Sequence, residues 1–141
     1  MIQQGQTTSF LAELYSGTHN LLSNVVMMAL YTSNVSLTQD TTVYSSTNEI
    51  TGTGYVAGGK VVSGFTVGTT DGIAFVSFDP VIWNAAAFTA RCALLYNATQ
   101  ANKSIAVIDF GADKTCTTIF TVTPPVNTAT TALIRSSTRG V

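Results

Sequence analysis

The stretch Phe88-Thr89-Ala90-Arg91-Cys92-Ala93-Leu94-Leu95-Tyr96 decides how this chain is read. Phe88, Ala90, Cys92 and Leu94 share one parity, and Thr89 and Arg91 share the other. Successive side chains of a strand point to opposite faces, so this alternation predicts a strand rather than a helix. Cys92 falls among its apolar members and reads as a small core residue.

Working outward, the same texture recurs on both sides. Downstream, Ser104–Phe110 and Thr117–Val122 read as strands separated by a turn region over Gly111–Lys114, and Thr131–Arg135 as a last one. Upstream, Pro80 breaks the chain before Val81, Ile82 and Trp83, while Lys60–Val67 and Ile73–Phe78 flank a turn over Gly68–Gly72. Val25–Tyr31 is a continuous apolar run of strand length, and Thr41–Tyr44 reads as a short edge piece. One helix precedes them over Thr8–Asn20, with Phe10, Leu11, Leu14 and Tyr15 near helical spacing and Leu21 and Leu22 extending that face. Thr8 or Ser9 would cap it, Glu13 would sit near its first turn, and Gly17 offers a stop. About eight short strands with turn signals predict an antiparallel β-sandwich, jelly-roll-like, with one short N-terminal helix. The expected organisation is an N-terminal arm over residues 1–7, one sandwich domain over 8–135 and a tail over 136–141. Both ends are polar and should be disordered in isolation.

Composition narrows the function classes. The 141 residues carry 6 Lys+Arg against 7 Asp+Glu, so the formal net charge is -1 and only 9% of residues are charged. Hydrophobic residues make up 45%, and Thr and Ser supply about another quarter. A disordered chain would need less hydrophobicity and more charge. A nucleic-acid binder would need clustered Lys and Arg to neutralise phosphates. No apolar run is long enough to cross a bilayer, and MIQQGQTTSF lacks the basic and apolar regions of a secretory signal. Two cysteines, Cys92 and Cys116, without such a signal read as reduced, and no CxxC pair offers a zinc site. An exterior of Thr, Ser, Asn, Gln and Gly is easily desolvated, which suits burial against partner subunits.

Motifs that suggest chemistry fail on their context. Gly54–Lys60 matches a phosphate loop up to its lysine, but Val61 stands where magnesium needs a hydroxyl, and Lys60–Phe65 reads as a strand rather than a helix. Asp109-Phe110-Gly111 spells the kinase magnesium triplet without the other kinase elements and reads as a strand ending in a turn. His19, the only histidine, has no evident nucleophile beside it and reads as a surface or capping residue. The carboxylates are scattered, mostly in turns. Trp83, Phe75, Phe78, Phe88, Tyr96, Phe110 and Phe120 read as core packing, and Trp83 would be the residue to test if an aromatic platform bound sugars. No catalytic, metal or cofactor residue is assigned.

The opening Met1–Phe10 followed by Glu13-Leu14, the block Asp40–Tyr44, the block Asn48–Gly59 and the stretch Phe88–Tyr96 together resemble a family of small structural proteins of tailed bacteriophages. The likeness spans residues 1 to about 135, and Asn48–Gly59 is its most distinctive piece. It implies a non-enzymatic virion component, assembled in the host cytoplasm. The preferred role is a capsid decoration (cement) protein that braces the outside of the major capsid lattice. Its partners would be the major capsid protein and copies of itself as a dimer or trimer, with no nucleic acid, membrane or cofactor. A tail or neck protein and a virion-surface carbohydrate-binding module are the alternatives. The residues expected at subunit contacts are Ile2, Gln3, Gln4, Gln6 and Thr7 of the arm, Tyr55 and Lys60 of the loop, and Arg135 and Arg139 near the end.

Overall fold

The computed structural model describes residues 1–128 and 130–137. In chain order these form β1 (Gly5–Gln6), α1 (Thr8–Tyr15), β2 (Val26–Tyr31), β3 (Lys60–Val62), β4 (Thr66–Thr70), β5 (Ile73–Ser77), β6 (Val81–Asn84), β7 (Phe88–Asn97), β8 (Lys103–Cys116), β9 (Ile119–Val122) and β10 (Ile134–Ser137). The strands make a five-stranded sheet in the order β1-β8-β7-β2-β3, a three-stranded sheet β10-β5-β4 and a pair β6-β9. Every strand pairing is antiparallel. The fold is therefore mainly β with one short helix, as the sequence predicts. The five-stranded sheet packs sandwich-like against a second layer, which consists of two separate small sheets.

β7 is the middle strand, laddered to β2 on one side and β8 on the other. Its alternation does not survive as one face. A register shift between Ala90 and Cys92 flips the strand, because one extra residue in a period-two chain exchanges the faces. Phe88, Ala90, Ala93 and Leu95 consequently join the cluster formed with Met28, Leu30, Ala106 and Ile108. Cys92, Leu94 and Tyr96 face the other way, against Ala29, Tyr31 and Val107. Covering on both faces explains why Cys92–Tyr96 is apolar at every position.

The larger cluster is closed by Phe78, Val81, Trp83, Phe120, Val122 and Ile134 from the second layer and by Phe10 of α1. The smaller one is closed by no sheet. Val35 and Leu37, with Tyr44 packed beside them, come from the irregular segment 32–50 strapped across that face. The expected edge strand at Thr41–Tyr44 is reduced there to a single bridge, Val43 to Lys103.

Other departures have local causes. The expected arm over residues 1–7 is part of the domain: Ile2 bridges Leu37, and Gly5–Gln6 pairs with β8. The cap of α1 is Thr7 rather than Thr8 or Ser9; its Oγ1 accepts from the Phe10 amide at 3.3 Å. The helix ends at Tyr15, so Glu13 lies in its last turn rather than near its first. Lys60–Val67 divides at Ser63-Gly64, sending β3 and β4 to different sheets. Residues 110–113 leave the ladder but do not end the strand; β8 runs on to Cys116. The β4–β5 turn shrinks to Asp71-Gly72, both in the left-handed region (φ +51° and +79°), as a two-residue type I′ hairpin requires. Ser136 and Ser137, assigned to the tail, belong to β10, and the rest of that tail with Arg139 lies outside the described residues.

Candidate functional site

Six of the chain's thirteen charged side chains bind partners within the molecule: five in three separate groupings, and Lys60 beside them.

The first ties α1 to the β7–β8 hairpin. Lys103 Nζ donates to Glu13 Oε2 at 3.0 Å, and His19 Nε2 bonds Glu13 Oε1 at 2.9 Å. His19 Nδ1 accepts from the Asn97 amide at 3.0 Å, which leaves Nε2 to carry the proton donated to Glu13. Asn97 Nδ2 also reaches Asn24 Oδ1 at 2.9 Å, and its Oδ1 accepts from the amides of Thr99 and Gln100. Burial raises the Glu13 carboxyl pKa, but His19 and Lys103 outweigh that and hold it below the usual carboxylate range. A histidine on a carboxylate is half of a general-base dyad. Here the ring is wholly buried and its second nitrogen is occupied by Asn97, so no nucleophile can use it. His19 is thus a buried clamp, where a surface or capping residue was expected.

The second grouping pins the glycine-rich loop. Glu49 Oε1 accepts from Tyr55 Oη at 2.7 Å and from the Gly58 amide at 2.6 Å, and Oε2 accepts from Tyr44 Oη at 2.5 Å. Tyr55 Oη in turn accepts from the Leu30 amide, and Tyr96 Oη donates to the Gly58 carbonyl at 2.6 Å. Tyr44 and Tyr96 stack with ring centroids 4.6 Å apart. Burial first, and the Glu49 charge after it, push the Tyr44 hydroxyl pKa up; burial likewise dominates the upward shifts of Tyr31, Tyr55 and Tyr96. The loop then folds back on β2 so closely that a Cβ on Gly59 would stand 1.8 Å from the Met28 carbonyl oxygen. Tyrosines this far from ionising, all donating, make a structural hub.

The third pairs Arg91 with Asp109 across the β8 excursion. The Gly111 amide at 2.8 Å, followed by Arg91, holds the Asp109 carboxyl pKa below its usual value. The kinase-like triplet is therefore a bulge brace. Lys60 completes the inward turn of charge, its ammonium donating to the Ile82 carbonyl.

The expected contact residues fare unevenly against this geometry. Thr7 is fully buried and bonded to Ser104 Oγ at 2.9 Å, so it cannot meet a neighbour. Tyr55 also points inward, its ring against Trp83 and Phe88. Ile2 is half-buried and packs on the smaller core cluster. Gln6 donates to the Arg135 carbonyl, and its buried Oε1 lacks a partner. Gln4 accepts from the Asp109 amide. Gln3, Gln4, Lys60 and Arg135 keep exposed surface. Trp83, the residue a sugar platform would use, is 3% exposed and packed between Phe88 and Phe120. Both cysteines are unpaired and buried, and burial pushes the Cys92 thiol pKa up to about 12. Among the described residues no group of three or more His, Cys, Asp or Glu side chains is placed to hold a metal ion.

Sequence reasoning missed what the surface offers instead. Four of the five residues of β4 are exposed, and they carry no charge. Tyr15, Val56, Val61, Ile82 and Ile119 also stand in solvent, Tyr15 at 94%. Ile82 and Ile119 lie on the outward face of the β6–β9 pair, opposite the buried Val81, Trp83, Phe120 and Val122. The only advance signal was the run Thr66-Val67-Gly68-Thr69-Thr70, a strand with neither charge nor proline. No protein-family model matches this chain, and neither a curated protein nor a solved structure is found to be similar to it.

Proposed function

We propose that this chain is a non-enzymatic structural component of a tailed-phage virion, a decoration protein seated on the outside of the major capsid lattice. The observation that supports the reading is the disposition of charge. Glu13, Glu49, Lys60, Arg91, Lys103 and Asp109 engage partners inside the molecule. What remains outside is mostly hydroxyls, amides and isolated apolar side chains, among which Asp40, Asp71, Asp79, Asp113, Lys114 and Arg135 are scattered exposed charges. Such a surface has little charge to desolvate against a neighbour. Two groups capable of acid–base chemistry, the buried His19 and the half-buried Glu49, are held by internal hydrogen bonds, which fits scaffolding rather than turnover.

The mechanism is mass action. A protein that binds only the assembled, expanded lattice stabilises it by its differential affinity, and many weak copies act together. Co-sedimentation of the purified chain with expanded phage heads lacking it tests the reading. Saturable binding at a fixed ratio to the major capsid protein, with heads that then resist heat, is the expected result. Absence from the head in gold-labelled virions would overturn it, and label on the tail would transfer the protein to a tail or neck role.

A further inference from the structure

We propose that two copies of this chain pair through the outer edge of β4, antiparallel and in a single register centred on Gly68. The proposal deepens the assembly reading above and rests on it, naming the partner as a second copy and the surface as one strand edge.

The hydrogen-bonding parity of β4 follows from its hairpin. In a two-residue type I′ turn the flanking residues, Thr70 and Ile73, exchange both of their backbone hydrogen bonds. Alternation along an antiparallel pair then gives Gly68↔Phe75 and Thr66↔Ser77 the same role. The amides and carbonyls of Val67 and Thr69 must therefore point away from β5, out of the sheet. β4 is terminal in the order β10-β5-β4, so no strand among the described residues meets them. The Thr69 carbonyl accepts only the adjacent Thr70 hydroxyl, at 2.8 Å, which leaves its second lone pair for a partner.

These two residues are self-complementary. If a second copy runs antiparallel about a two-fold axis at Gly68, Val67 of each copy stands opposite Thr69 of the other. The four outward groups of one copy meet the four of its mate, closing four hydrogen bonds. Gly68 faces Gly68 in a non-hydrogen-bonded pair, where Cα atoms approach to about 4.5 Å. No side chain obstructs that closest point. The flanking residues, Thr66 against Thr70 and Val67 against Thr69, are β-branched and uncharged, the pairs a sheet favours.

Edges that should stay single are guarded by charge, proline, bulges or cover. Elsewhere in this molecule such guards exist. The Gln6 side chain donates to the Arg135 carbonyl on β10, β1 has only two residues, and β3 begins with Lys60 and lies against β6. Within β4 itself there is none of them, and the nearest charge is Asp71 in the turn that follows. Its backbone is also held ready for a partner, because the Phe75 ring lies over Gly68, with a ring carbon 2.6 Å from where a Cβ would be. Pairing would yield one six-stranded sheet, β10-β5-β4 continued through its symmetry mate. It would bring Asp71 of one copy opposite Phe65 of the other, near Asp79, so association should strengthen with salt.

Sedimentation of the full chain across a concentration series, on wild type, Val67→Pro and Thr69→Lys, tests this. Proline at 67 removes an outward amide while leaving every β5-facing one intact, so folding should persist. Wild type should dimerise, and Val67→Pro should weaken dimerisation about 100-fold through two lost hydrogen bonds, with the melting curve little changed. Thr69→Lys should abolish it. In a mixed isotope-labelled sample of wild type, a cross-peak between the Gly68 α-protons of the two copies should appear. A monomeric wild type overturns the pairing, as does a dimer that both variants retain, although that dimer would leave the assembly reading standing. A β4 dimer that never binds heads would sink the decoration role and leave the pairing intact.

Discussion

β7 and β4 draw on similar strand-forming residues and meet opposite fates. Ala90 and Cys92–Leu95 are all completely buried, with a ladder on each side and a hydrophobic cluster on each face. β4 has one ladder, and four of its five residues are exposed. Strand propensity does not separate them, since Val and Thr are good strand formers wherever they stand. What separates them is the number of neighbours, and with it the distribution of free energy. The molecule concentrates its stability in β2, β7 and β8 and leaves β4 for other uses.

Truncation breaks the comparison most sharply. Leu95→Ala, in the larger cluster, should cost about 2 to 5 kcal/mol, the range for a buried leucine whose cavity relaxes only partly. Val67→Ala, at 57% exposure, should stay within about 0.5 kcal/mol. Urea unfolding of both variants measures the contrast, and equal losses would show that the two strands share one level of support. Glu49→Gln comes next. The glutamine keeps the shape but replaces one acceptor oxygen with a donor, facing either the Tyr44 hydroxyl or the Tyr55 hydroxyl and the Gly58 amide together, which should cost about 1 to 3 kcal/mol. Hydrogen exchange at Gly58 should accelerate more than exchange in β7, because the loop loses its anchor while the central ladder does not.

Where the sequence was legible, the signal was local. The period-two run at Phe88–Tyr96, the apolar run Val25–Tyr31 and the turn region Gly68–Gly72 each predict an element from adjacent residues, although the turn itself narrows to Asp71-Gly72. The face exchange at Arg91 was not legible, since a bulge depends on what the partner strand does between Asp109 and Lys114. β1 could not be seen because Gly5-Gln6 pairs by backbone alone and carries no apolar pattern. The Glu49 hub joins tyrosines from positions 44, 55 and 96, and only the fold brings them together. His19 misled for the same reason: its burial comes from Asn97, which is 78 residues away. The exposed edge was written plainly in Thr66–Thr70, but an uncharged Thr-rich run looks the same in an interior strand.

Acid should loosen the clamps of the interior before it touches β4. Glu13 and Asp109 have folded-state pKa values below their ordinary 4.5 and 3.8. A carboxyl depressed by folding contributes stability that is fully present above the unfolded value and is lost as pH falls through the folded one. Stability should therefore decline from about pH 4.5 downward, and Glu13→Gln and Asp109→Asn should each flatten that decline. No acidic group lies within β4, so a Val67→Ala background should leave the profile unchanged. Calorimetric melts across this range decide it. A slope that survives both carboxyl variants would mean that other carboxylates dominate.

The gentlest probe perturbs neither strand and reads accessibility alone. Cys92 is completely buried at the centre of β7, and its thiol pKa is pushed up to about 12 by burial, so thiolate is scarce at pH 8 and a reagent cannot reach it. Cys116 is buried as well. Neither should react with an aromatic disulfide reagent until the chain unfolds globally, which makes their labelling rate a measure of unfolding. A cysteine introduced at Thr66, exposed on β4, should react at once in the monomer. As concentration rises and copies pair through this edge, its rate should fall while the Cys92 rate stays near zero. If Cys92 were modified as readily as position 66, the centre of the sheet would be opening on its own, and the division of the molecule into a locked interior and an available edge would be wrong.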